Sequence, residues 1–173
     1  TRSRRFGDAI MLSVRKARES DMQQFFDWRN DPAVVAASFT PGKIAMSDHE
    51  PWFMRKLSGD DCSLYVIEHD STPAGQVRFD IEGSRATINY SLDEAFRGRQ
   101  LATASVSTAI ASFRAEHADV TTLIAYVKAD NPASSRVFEK LNFEEDGFDR
   151  RMQANRYHID LDKRALHEHT GDD

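Results

Sequence analysis

Two stretches of this chain carry residue types at a spacing that chemistry can use. Phe96 to Ala104 reads FRGRQLATA, an Arg-Gly-Arg turn that opens into a run with helical spacing. The first N–H groups of a helix have no internal partner and sit at the positive end of its dipole, so they accept an anion readily. Arg97 and Arg99 add charge, and Gly98 lets a ligand approach the backbone closely. The chemistry this suits is the docking of a diphosphate where the segment Gly98, Arg99, Gln100, Leu101, Ala102 and Thr103 turns into the helix. Gln100 stands where such cradles often carry glycine. It keeps its amide, so the reading requires a negative φ there. An ordinary polar turn with two arginines is the competing reading. The second stretch is NPASSRVFEKLNF, with Asn131 placed to cap a helix and Pro132 at its first position.

Both stretches need elements to position them. Met11 to Lys16 predicts a first strand. ESDMQQFFDWRND predicts a helix with Ser20 as N-cap and Gln23 completing a capping box, ended or bent at Asp31-Pro32. SDHEPWFMRKL predicts another helix, capped near Ser47, with Trp52, Phe53 and Leu57 inward and Pro51 in or near its first turn. SLYVIEH, GQVRFDI and RATINYSL predict three strands, the last two joined by a tight turn at Gly83-Ser84. Their alternation (Val77, Phe79, Ile81 against Arg78, Asp80) marks an antiparallel meander with one polar face. The period then changes to 3.6: Ala102, Val106, Ala109, Ile110 and Phe113 form a stripe. TTLIAYV reads as a buried strand, the Asn131 segment as a helix, and EEDGFDRRMQANRYHIDLD as two closing strands. A meander feeding a β-α-β unit gives one mixed sheet of about seven strands with helices on both faces.

The chain has 173 residues, 40% of them apolar, and a formal charge of −5. These values describe one globular domain over 11–162 and argue against a nucleic-acid binder. The polar ends, 1–10 and 163–173, read as flexible. No apolar run reaches the ~20 residues of a membrane helix, and no signal peptide is visible, so neither membrane nor export is expected. Cys62 is alone, which excludes an intrachain disulfide and fits a reducing, cytoplasmic setting; it reads as an idle thiol. The histidines of HEH at 167–169 are not at a metal-ligand spacing with any others, and no metal is expected.

Together the two stretches resemble the Gcn5-related N-acetyltransferase (GNAT) family. Its loop reads Arg/Gln-x-x-Gly-x-Gly/Ala; Arg97 and Ala102 match and Gln100 departs. On its later helix Asn131, Ser134, Phe138, Lys140 and Phe143 match, while Asn142 replaces a glycine. The resemblance implies an α/β GNAT fold with a splayed central strand pair, holding acetyl-CoA as co-substrate. The pantetheine arm would pair with Tyr90, Ser91 and Leu92, where a backbone N–H would polarise the thioester carbonyl. Asn131 would lie along the pantetheine path. Phe138 stands where many members carry the tyrosine that protonates the departing thiolate. Tyr126 stands where some carry a glutamate base. That leaves Asp80, Glu82 and Asp27 as candidate bases acting through water, and Tyr126 as a relay or a filler of the cleft.

DWRNDPAVV, HEPWF and PAGQVRFD resemble the branch that acetylates nucleotide-linked amino sugars; ribosomal-protein N-terminal acetyltransferases and antibiotic-modifying relatives share similar patterns. The resemblance places the acceptor mouth near Trp28, Arg29, Asn30 and Trp52, which could bind phosphate or stack on a sugar or base, or could simply close the rim of a core. The net negative charge favours, if anything, a cationic acceptor. Three functions are expected in this order: acetyl transfer to a small-molecule amine, acetyl transfer to a protein N-terminus, and CoA sensing without catalysis. A homodimer is compatible with the resemblance.

Overall fold

The computed structural model describes residues 11–162. The two termini expected to be flexible, and the HEH triplet, lie outside the described residues. Seven strands form one sheet in the order β1-β2-β3-β4-β5-β7-β6: β1 Leu12–Lys16, β2 Cys62–His69, β3 Thr72–Glu82, β4 Arg85–Leu92, β5 Thr122–Val127, β6 Glu144–Asp149 and β7 Ala154–Asp160. All neighbours are antiparallel except β4 and β5. Among the described residues, these α-helices accompany them: α1 Met22–Arg29, α2 Pro32–Ala37, α3 Met46–Ser58, α4 Ala102–Glu116 and α5 Pro132–Lys140.

The core explains which strands alternate. β2 is apolar on both faces because each face is covered. Tyr65 and Ile67 pack in the large cluster with α4 and α5, while Leu64 and Val66 pack with Phe25, Trp28 and Phe53 of α1 and α3. On β3 only one face is apolar: Val77 and Phe79 join the α4 side, and Phe79 stacks on Phe113 at 4.1 Å between ring centroids. Arg78 and Asp80 face the other way, toward α3.

Several helix ends differ from the expectation. Ser20 does not cap α1. A short 3-10 turn over Glu19–Asp21 precedes it, and the Asp21 carboxylate accepts from the Arg18 N–H at 2.7 Å and from both Arg15 guanidinium nitrogens at 2.8 Å. Gln23 instead donates to Asp27, one turn on. The charged pair from β1 outcompetes a neutral serine cap. Ser47 lies inside α3, whose Ala45 N-cap offers no side-chain oxygen, and Pro51 sits in the second turn rather than the first. Asp31 ends α1 as expected but also opens α2, its carboxylate accepting from the Ala33 and Val34 amides.

Among the described residues, no helix is long and apolar enough to cross a membrane. The outer edge strand β6 is exposed, acidic at Glu144, Glu145 and Asp146, and irregular at Gly147, features that discourage pairing with another edge.

Candidate active site

β4 and β5 pair only from Arg85 to Thr87, against Thr122 to Ile124; beyond that point the strands part. The separation leaves Ile88 to Leu92 bonded to β3 on one edge alone. A cavity of about 980 Å³ opens beside this free edge and is lined by Tyr90, Ser91 and Leu92 of β4, Gly98 and Ala102 of the loop and Asn131 and Ser134 of α5.

The loop Phe96–Leu101 leaves its amides open by a backbone route other than the one expected. Gln100 has φ +58 and Gly98 φ +72, so the glutamine takes the left-handed conformation of the glycine it replaces. The negative φ expected of it is not found. Its amide is nevertheless available: among the described residues, no protein group accepts from the N–H groups of Gly98 through Ala104. The first bond of α4 is Ser105 N–H to Leu101 C=O. A row of unpartnered donors therefore stands at a helix N-terminus, with Gly98 and Ala102 on the cavity lining.

The two loop arginines act differently from each other. Arg97 donates from Nε to the Leu92 carbonyl (3.1 Å) and from a terminal nitrogen to Asp31 (2.8 Å), tying the loop to β4 and to α2. Burial pushes the Asp31 carboxyl up, but Arg97 and the two α2 amides outweigh it and hold the group below its ordinary range. Arg99 lies over the Phe96 ring at 5.6 Å.

On α5, Asn131 caps the helix as expected, accepting from the Ser134 N–H and donating to Ser134 Oγ. Ser134 is a residue sequence reading matched but did not use: its hydroxyl lies 3.0 Å from the Tyr90 hydroxyl, placing a hydroxyl pair on the cavity wall. Burial pushes the Tyr90 phenol up, partly countered by Ser134. Phe138 is buried and packs edge-on against Tyr90 and Phe143. Tyr126 sits on the β5 side of the gap, in a small adjoining hollow with Ser134 and Phe138.

Gly75 was missed. A Cβ there would lie 2.4 Å from the Ser91 carbonyl oxygen, so β3 and β4 approach closely beside the open edge only because this residue is glycine. A glycine inside the strand pattern GQVRFDI was the available signal.

The acceptor-side expectations divide. Glu82 is not brought to the site: it pairs with Arg85 at the hairpin, exposed, because β3 runs antiparallel to β4 and so carries its last residues away from the opening. Asp27 is likewise exposed and does not line the cavity. Asp80 does line it, yet Lys56 Nζ (2.8 Å) and Arg78 Nε (2.9 Å) occupy its two oxygens. Burial pushes Asp80 up, while those cations outweigh it and leave the carboxyl below its ordinary value. Asn30 is spent on structure, bonding both the N–H and the C=O of Ile44. Trp28 lines the cavity too, buried and with its indole N–H donating to Asp93. Trp52 and Arg29 do line the cavity; Arg78 sits over the Trp52 ring at 5.5 Å. Burial and the neighbouring Asp80 charge push the Cys62 thiol up to about 12, which removes it as a nucleophile. Among the described residues no cluster of metal-ligating side chains exists.

No curated protein sequence matches the chain. Solved structures do match its fold. Spermidine N-acetyltransferase from Vibrio cholerae, in complex with CoA and spermine, superposes with a TM-score of 0.78 at 16% identity, covering 88% of this chain and 96% of that one. RimL, the ribosomal L7/L12 alpha-N-protein acetyltransferase, with coenzyme A, gives 0.76 at 21% identity over 87% and 94%. Aminoglycoside acetyltransferase AAC(6')-Ib with coenzyme A gives 0.77 at 15% over 92% and 99%. The sequence profile of the acetyltransferase (GNAT) domain matches residues 12–144. With its parted β4–β5 pair, its row of open loop amides and this match over most of its length, the chain belongs to the GNAT family of acyltransferases.

Proposed function

We propose that the protein transfers an acetyl group from acetyl-CoA to a primary amine of a small molecule, such as a nucleotide-linked amino sugar, by direct attack in a ternary complex. One observation carries the reading: the loop whose amides from Gly98 to Ala104 have no protein acceptor among the described residues brings Gly98 and Ala102 to the same cavity as the free edge of β4. The amides suit the CoA diphosphate, and the edge at Tyr90, Ser91 and Leu92 suits the amide-bearing pantetheine arm. That the three neighbouring structures above hold CoA agrees with this placement.

The reaction forms a bond between the amine nitrogen and the thioester carbonyl carbon, and breaks the carbon–sulfur bond. The amine loses a proton and the departing CoA thiolate gains one. A backbone N–H of the Tyr90–Leu92 edge stabilises the oxyanion in between. Asp80 is held by Lys56 and Arg78, which lower its pKa and make it a poor base, so the ammonium proton leaves to water and turnover rises toward the amine's own pKa. Phe138 has no proton to give. The Tyr90–Ser134 hydroxyl pair takes that place by hydrogen bonding the thiolate, which is a good leaving group. Tyr126 and Ser91 line the gap from its two sides, and Ser91 Oγ is held by Gln76 at 3.2 Å.

Release of CoA thiol from acetyl-CoA across a panel of amines tests the reading. Amine-dependent release above hydrolysis is expected. CoA binding with no acceptor-dependent release would replace catalysis with a sensor role, and turnover of peptides alone would move the acceptor to a protein N-terminus.

A further inference from the structure

The cavity wall opposite the loop is cationic although the chain as a whole is acidic. Lys56 from α3 and Arg78 from β3 share the single carboxylate of Asp80. Arg29, at the end of α1, comes to the same wall with no carboxylate partner among the described residues; its guanidinium donates only to the Thr40 and Gly42 carbonyls, at 3.1 and 3.3 Å. Three cations thus face one carboxylate, with the other carboxylates of the lining, Asp48 and Asp130, exposed. Burial, and the like charge of Arg78, lower the Arg29 pKa. Like charges gathered in a half-buried wall cost stability unless something negative is placed among them. Of the lining carboxylates, only Asp80 forms an ion pair with these cations among the described residues.

On these grounds, and resting on the acetyl-transfer reading above, we infer that the acceptor amine carries an anionic oxygen group, carboxylate or phosphate, and that Arg29, Arg78 and Lys56 select it by binding that group. Arg29 supplies a planar fork to the anion, and Trp52, already under Arg78, presents a ring face to the acceptor's body. Polycationic amines are disfavoured by the same wall. The Lys56 ammonium and the Arg78 Nε hold Asp80 in place, which is why its carboxylate orients the site rather than abstracting a proton.

Matched ligands titrated calorimetrically into CoA-saturated protein test this: glucosamine 6-phosphate against glucosamine, a uridine-diphosphate amino sugar, alanine against ethylamine, and spermidine and kanamycin as cations. The anionic member of each pair is expected to bind about tenfold or more tightly, with the advantage shrinking as salt rises. Comparison of the phosphate, diphosphate and carboxylate arms identifies the source of the charge. Arg29→Gln should remove most of the preference and Arg29→Lys should restore part of it, with CoA affinity unchanged in both. Neutral or cationic ligands binding as well as the anionic ones in the wild-type protein would overturn the inference, and that comparison does not depend on either variant folding. Thiol release on the same panel is read separately. Anion preference without transfer to any member would sink acetyl transfer, and transfer favouring the cations would sink the anion wall.

Discussion

On the loop side of the cavity the open polar groups are main-chain: the free edge of β4 and the loop that leaves its amides without protein acceptors and lines the cavity with Gly98 and Ala102. On the opposite side they are side chains, Arg29, Lys56 and Arg78 around Asp80, each from a different element. A main-chain site depends on where the backbone goes and tolerates changes of side chain. That is how Gln100 can stand in a glycine's conformation without closing the loop. A side-chain site depends on identity, and one substitution changes its charge. The two walls should therefore respond to mutation in opposite ways.

The largest effect is expected where a side chain intrudes on main chain. Gly75→Ala puts a Cβ against the Ser91 carbonyl and forces β4 aside. Loss of about 3 kcal/mol in urea unfolding is expected, together with loss of acetyl-CoA binding. Unchanged CoA affinity would show that the β4 edge is not part of the site. Asp80→Ala comes next. It leaves Lys56 and Arg78 without their carboxylate, costs about 2 kcal/mol and alters the acceptor KM while sparing that of acetyl-CoA. Because the folded Asp80 pKa lies below its unfolded value, its contribution is present above the unfolded pKa and lost as pH falls through the folded one. The stability gap between wild type and Asp80→Asn should stay flat above about pH 5 and shrink below about pH 4.

Tyr90→Phe removes the hydroxyl pair with Ser134 while keeping the ring against Phe138. A loss of about 1 kcal/mol in stability and of about tenfold in kcat is expected, without change in acetyl-CoA KM. An unaltered kcat would reduce the pair to a structural contact. The smallest effect is a gain: Gln100→Gly relieves the left-handed backbone and should raise stability by up to about 1 kcal/mol, leaving CoA affinity alone. A fall in CoA affinity would mean that the glutamine side chain, and not only its amide, contributes to the cradle.

Much of this architecture was legible before any coordinates. The switch from period 2 in RATINYSL to period 3.6 in ATASVSTAIASFRAE places a strand, a loop and a helix start in that order, and open amides follow from helix geometry alone. Asn131-Pro132 marked its own helix start for the same local reason. Where local signals met competition from distant charge they failed. Ser20 was a plausible cap until Arg15, on a neighbouring strand, fixed Asp21 instead. Glu82 looked available until strand direction carried it to the closed end of the hairpin.

The wall around Asp80 was the least legible part, and a net charge of −5 gave no sign that three cations would gather there. Net charge averages over the whole surface, whereas a bound molecule meets only the groups within a screening length of it. The sequence by itself determined the elements, the loop and the helix starts, because these rest on hydrogen-bond geometry between residues a few positions apart. Only the tertiary structure decided which charges meet. Residues 29, 56, 78 and 80 come together because α1 and α3 pack on β2 beside the polar face of β3, and no local pattern records how far apart in space those side chains end.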